Sequence, residues 1–174
     1  MEEYIRQLRE SYKAKLYYLT LMGTLALIDI CAALNSPNGE TSPILFKKWF
    51  NKYLSHYSSG PFGSITSFYT DECCKFRCRF MHQGRPCIDA KSMDSKVKSG
   101  RIAFSVGQGQ VHKCNFGRIY YLDIETFMED VIKGVDNWLT DVKGIAHVKE
   151  NRKKMVKILN YDLGHGIGGN GIYI

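Results

Sequence analysis

Residues 16–34 read LYYLTLMGTLALIDICAAL, and Asp29 is the only charge among them. A run of this length can just cross a bilayer, and Lys13 and Lys15 stand where a membrane reading would put the inner side. Two features argue against a span. An aspartate well inside the run costs about 2.5–3.5 kcal/mol on insertion scales, and residues 3–15 continue the same helical pattern with charged positions. The stretch is therefore read as the buried half of one helix from about Glu3 to Leu34. Gly23 is its weakest point, and Asn35-Ser36-Pro37-Asn38-Gly39 ends it as a dense turn signal.

Beyond that turn, Thr41 or Ser42 can cap a second helix with Pro43 in its first turn. Leu45, Phe46, Trp49, Tyr53 and Leu54 recur there at helical spacing, and Lys47, Lys48 and Lys52 take the outer face. Residues 58–64, SSGPFGS, read as a loop. Thr70, followed by Asp71 and Glu72, reads as the N-cap of a third helix, which Gly84 and Pro86 stop near His82 or Gln83. Residues 85–98 are polar and irregular. Arg101–Val106 and Gly117–Leu122 then predict two strands of a hairpin or small sheet, with Gly107-Gln108-Gly109-Gln110 as the turn. Asp123 caps a long fourth helix carrying an apolar stripe of Phe127, Val131, Val135, Trp138 and Val142. A basic helix from about Ile145 to Leu159 follows, its Lys149, Arg152, Lys153, Lys154 and Lys157 read as a solvated face. The expected fold is mainly α: a single helical bundle over residues 1–159, with a small β-hairpin insertion at about 85–122 before the last long helix, and a Gly-rich tail at 160–174.

The 174 residues, 44% hydrophobic and with only four prolines, exclude a collagenous or wholly disordered chain. The net charge is +7, and it is unevenly placed: residues 61–122 hold ten basic and four acidic side chains. A polyanionic partner would therefore sit against the middle of the chain. Six cysteines, with no secretory signal pattern at the start, predict free thiols in a reducing cytoplasm and no membrane association.

The reactive side chains crowd into residues 71–87, DECCKFRCRFMHQGRPC. Cys74, Cys78 and His82 stand at i, i+4 and i+8, a spacing that drifts round a helix instead of converging on a zinc ion, and CxxC pairs are absent. No metal is assigned. Within the same stretch, RCRFMHQG places Arg77 and His82 at R-x4-H late in a helix. This resembles the signature of the HEPN superfamily of helical domains, many of them RNases of prokaryotic defence and toxin systems. The order of elements over residues 3–143 is similar too. The resemblance implies a homodimer with a composite cleft, cleavage of RNA without metal or cofactor, and a protein partner such as an antitoxin or a defence-system component. An alternative is a catalytically inactive HEPN-like module for dimerisation or RNA binding, favoured by Cys78, since the position after the arginine is usually polar in the RNases.

The chemistry suits the residue types. His82 is the nearby side chain whose ordinary pKa fits general acid or base work at neutral pH. Arg77 offers a permanent positive fork for the phosphorane's oxygens. A five-residue step turns the two about 140° apart on a regular helix, so one site needs an early helix end or a second chain. Arg79, Arg85 and Arg101 are candidate RNA contacts extending the positive wall. Each principal residue also has a structural account: His82 as a helix C-cap, and Arg77 as the partner of Asp29, a lone charge that needs one when buried.

Overall fold

The computed structural model describes residues 1–57, 68–84, 101–107, 111–116 and 119–156. The expected loop at 58–64, the irregular segment 85–98, the turn residues 108–110, Lys157 and the tail 160–174 lie outside the described residues, as do Arg85 and Cys87.

The expected first helix is two. Helix α1 runs Glu2–Lys13 and α2 runs Tyr17–Leu34, and the chain turns between them at Lys15, whose φ is +59°. The Leu16 N–H donates to the Ser11 carbonyl at 2.9 Å and the Lys15 N–H to the Tyr12 carbonyl at 2.8 Å. These two bonds close a Schellman motif, the usual way a helix satisfies its last carbonyls with a left-handed residue just past the end. Here a lysine fills a position that glycine usually takes, so no glycine or proline marks the break. Gly23 instead lets α1 lie close against α2: a Cβ there would sit 2.5 Å from the Leu8 side chain. The Tyr4 hydroxyl donates to the Gly23 carbonyl across the same contact at 2.8 Å.

Helix α3, Pro43–Tyr53, starts as expected with Pro43 in its first turn and the Ser42 hydroxyl accepting from the Leu45 N–H at 3.3 Å. A short 3-10 turn follows at Ser55–Tyr57. Helix α4, Phe68–Gln83, begins two residues before Thr70, so Thr70 is not its cap. That hydroxyl is buried and donates to Asn51 on α3, which ties neighbouring helices instead of closing its own. The end of α4 is as expected, with Gly84 at φ +62°.

Strands β1 (Arg101–Ser105), β2 (Cys114–Phe116) and β3 (Ile119–Asp123) form a sheet in the order β1-β3-β2. The expected pairing of β1 with β3 occurs, but it is parallel, with Ile102 opposite Tyr120 and Phe104 opposite Leu122. It is not a hairpin. The antiparallel pair is β2 with β3, since the three-residue β2 supplies the extra reversal that lets β3 run alongside β1. Strand β3 passes directly into α5, Ile124–Asp141, where an Asp123 carboxylate oxygen accepts from the Thr126 N–H at 3.0 Å. The predicted stripe Phe127, Val131, Val135, Trp138 and Val142 is buried. Helix α6, Ala146–Lys153, is shorter than expected, with its C-cap at Lys154. Its one buried polar side chain, Asn151, donates to the carbonyls of Leu34 and Ser36 at 3.2 and 2.9 Å, docking α6 on the end of α2.

Helix α2 is the centre of the bundle, packed against α1, α3, α4, α5 and α6. By length and composition it could cross a membrane, but Leu25, Leu27, Ile28 and Cys31 are fully buried against Phe46 and Phe50 of α3 and Val131 and Val135 of α5. Burying each such large side chain is worth about 1.5–3 kcal/mol. The same packing holds Asp29 at the edge of the core, facing α4.

Candidate catalytic site

Helix α4 lies across α2 and α3 with Cys73, Cys74 and Phe76 turned inward. Arg77 follows these on the shoulder of the helix. It reaches α2, where its Nη2 donates to Asp29 Oδ1 at 2.9 Å, and the two side chains retain only 12% and 16% of their exposure. The expected Asp29–Arg77 pair is therefore present. The guanidinium also stands 5.3 Å from the centre of the Phe46 ring, a cation–π distance. Arg77 Nε is buried with no hydrogen-bond partner among the described residues.

His82 is exposed in the last turn of α4. Burial pushes the Asp29 carboxyl above its usual range, while the Arg77 guanidinium, a hydrogen bond with Thr41 and the His82 ring pull it back down. Arg77 is thus held inward by this carboxylate, and His82 faces solvent. The helix stays regular to Gln83, so His82 does not swing round on an early helix end. Around this centre, Lys47 of α3 pairs with Asp71 in the first turn of α4, and Arg79 is half-buried. Arg101 lies in β1. Arg85 is outside the described residues.

Three of the cysteines behave as small apolar side chains. Cys31, Cys73 and Cys74 are buried, and desolvation raises each thiol above its usual range. With Cys74 buried and His82 exposed, the i, i+4, i+8 set does not converge. Among the described residues no three His, Cys, Asp or Glu side chains are arranged to hold a metal ion.

No protein-family model, curated protein or solved structure matches this chain. The functional reading therefore rests on the residues themselves.

A second polar cluster lies where the sheet meets the bundle. The Tyr57 hydroxyl donates to Asp130 Oδ2 on α5 at 2.8 Å and lies 3.1 Å from His112 Nε2. His112 Nδ1 accepts from the Asp123 N–H at 3.2 Å, so the ring's proton sits on Nε2 and points at Tyr57. His56 Nε2 is 3.1 Å from the same Asp130 oxygen, and Lys113 Nζ lies 4.1 Å over the Tyr57 ring. Desolvation lowers His112 and Lys113 and raises Tyr57. Sequence reasoning missed this group because its members are 55 and 73 residues apart and share no spacing that marks a site. Its bonds join the 3-10 turn and the segment before β2 to α5.

Proposed function

We propose that the chain is a HEPN-like helical domain acting as a metal-independent endoribonuclease through Arg77 and His82. The observation that carries this reading is the Asp29–Arg77 pair: the packing of α4 on α2 holds the guanidinium against a carboxylate, while His82 stands exposed in the last turn of the same helix. Asp29 orients the guanidinium, as a positioning residue. Arg77 balances charge as a phosphorane forms. His82, exposed at the helix end, moves the protons.

In the reaction, His82 takes the proton of a ribose 2′-hydroxyl and the 2′-oxygen bonds to the adjacent phosphorus. The bond from phosphorus to the 5′-oxygen then breaks, and that oxygen takes a proton from a second imidazole. The products are a 2′,3′-cyclic phosphate and a 5′-hydroxyl. Because one chain supplies one His82, the reaction calls for two copies about a twofold axis, each contributing a motif to a shared cleft. Single-stranded RNA is the substrate class, the cytoplasm the setting, and an antitoxin or defence-system component the protein partner this reading calls for.

A second reading, an inactive dimerisation or RNA-binding module, is favoured by one observation: Arg77 keeps only 12% of its side-chain exposure and is committed to Asp29. The two separate in one assay. Parent protein, Arg77→Ala and His82→Ala are incubated with single-stranded RNA in excess chelator, and the ends are analysed. Cutting by the parent alone, leaving 2′,3′-cyclic phosphates, supports the enzyme. RNA binding with no cutting supports the module, and equal cutting by all three refutes the enzyme reading.

A further inference from the structure

The bonds around Tyr57 fix the direction of every proton in the cluster. The Asp123 N–H donates to His112 Nδ1 at 3.2 Å, so the ring's proton is on Nε2, which donates to the Tyr57 oxygen at 3.1 Å. The Tyr57 hydroxyl in turn donates to Asp130 Oδ2 at 2.8 Å. Each donor meets an acceptor only while the imidazole is neutral. An imidazolium would turn a second N–H toward the Asp123 N–H, donor against donor, and with 8% of its exposure left the side chain is poorly placed to reach water instead.

The ring also sits at a junction. His112 and Lys113 immediately precede β2, an edge strand of the sheet, while Tyr57 ends the 3-10 turn, Asp130 stands on α5 and Asp123 joins β3 to that helix. Beside Tyr57 the sheet and the bundle leave an apolar cavity of about 20 Å³, lined by Phe104, Tyr120 and Leu122 from the strands and by Leu25, Cys73 and Phe127 from the helices. Side chains facing a void lose contacts on that side, so the polar links at the rim matter more to the docking. Lys113 is held at φ +58°, a backbone conformation that residues other than glycine seldom adopt.

The groups facing the ring oppose one another. Burial disfavours the imidazolium most, followed by Lys113; Asp130, 3.8 Å away, and Asp123 favour it, and His56, 3.1 Å from the same Asp130 oxygen, disfavours it. The balance leaves the docked ring binding a proton less readily than a histidine at its ordinary 6.5. We propose that His112 is a pH-sensitive latch: neutral, it holds residues 111–113 and the edge of the sheet on Tyr57 and α5; protonated, it releases them while the helical bundle stays folded. The latch stands apart from the RNA reading, since it uses neither Arg77 nor His82. A released ring at its ordinary value and a docked ring below it put the release on the acid side of pH 6.5. Uptake of one proton limits its growth to about tenfold per pH unit.

The test is amide hydrogen exchange of the full-length protein, followed by NMR at pH 7.5, 6.5 and 5.5 and at low urea concentrations, with each rate divided by that of an unstructured peptide at the same pH. The Asp123 amide is expected to be less protected than that of Val135 in α5, to lose up to about tenfold in protection between pH 6.5 and 5.5, and to respond little to urea, the mark of a local opening. His112→Asn, whose side-chain oxygen can accept from the Asp123 N–H and takes up no proton, should abolish the acid loss at Asp123, and His56→Asn should keep it. In the parent, the His112 ring nitrogens and the Asp123 amide should titrate with one midpoint below pH 6.5. Separate midpoints overturn the latch, as does Asp123 protection that is constant from pH 7.5 to 5.5. Asp123 exchange matching that of Val135 in level and urea dependence at every pH also overturns it, because the junction then opens only when the whole chain unfolds. An acid loss abolished by His56→Asn and kept by His112→Asn assigns the titration to His56 and refutes the proposal.

Discussion

The Asp29–Arg77 pair makes an asymmetric prediction. Asp29 lies on α2 with 16% of its exposure left, and burial raises its carboxyl more than Arg77, Thr41 and His82 together lower it. A group whose folded pKa lies above its unfolded value of 3.8 binds protons more readily in the native state. It therefore contributes most below pH 3.8, and that contribution is lost as pH rises through the raised value. At pH 7 the ionised Asp29 is less favourable to folding than a neutral side chain of the same shape. Asp29→Asn should accordingly hold or raise stability. Arg77→Met is different, because it leaves the buried carboxylate without its cation. Removing one partner of a buried pair costs about 3–5 kcal/mol, and partial exposure puts this case at about 3 kcal/mol. On a chain of this size that lowers the melting temperature by about 6–12 °C.

Equilibrium urea unfolding of the parent, both single variants and Asp29→Asn/Arg77→Met closes the cycle. The double variant should recover much of the Arg77→Met loss, since the unpaired charge is gone. The Arg77→Met penalty should also shrink as the pH falls through Asp29's raised value and the carboxyl takes up a proton. A loss in Asp29→Asn equal to that in Arg77→Met would refute the reasoning, because the pair would then be an ordinary stabilising ion pair. The same variant separates stability from function. If Asp29 positions Arg77 for phosphate, Asp29→Asn folds as well as the parent but cuts RNA more slowly.

Three further outcomes are expected. Burial lowers His112 below its usual 6.5, so the native state binds that proton less readily than the unfolded chain. Stability is held above pH 6.5 and falls as the pH drops toward the lowered value; urea unfolding at pH 7.5 and 5.5 should show this loss, His112→Asn should remove the dependence, and nitrogen chemical shifts should place the neutral ring's proton on Nε2. Lys15→Gly relieves the left-handed lysine at φ +59° and should raise stability by up to about 1 kcal/mol, seen as a higher melting temperature; a loss would refute the Schellman assignment. Asp123→Ala removes the cap of α5 and should cost about 1–2 kcal/mol, and Asp123→Asn much less, both read by urea unfolding.

What could be read in the sequence was what a residue needs within a few positions of itself. Ser42, Asp123 and Gly84 announce helix ends because each satisfies neighbouring backbone groups or adopts a conformation open to few other residues. Asp29 is legible for a related reason. A single carboxylate in a nineteen-residue apolar run cannot be buried alone, and Arg77 answers it from the helix packed opposite. The break at Lys15 was hidden because lysine there is tolerated, not preferred; the two backbone bonds that close the turn leave no mark in side-chain chemistry. The direction of β1 against β3 was hidden because it depends on β2, three residues too short to signal a strand by alternation. Tyr57, His112 and Asp130 were hidden because each has a common local use, and only the docking of sheet on bundle gives them a joint one. The candidate site falls between these cases. Arg77 and His82 are visible as a spacing, but the carboxylate that holds Arg77 comes from 48 residues before it, so the arginine's placement is a property of the packing of α4 on α2. For that reason Asp29→Asn, which leaves the R-x4-H spacing untouched, is the sharpest test of whether the spacing works as a site.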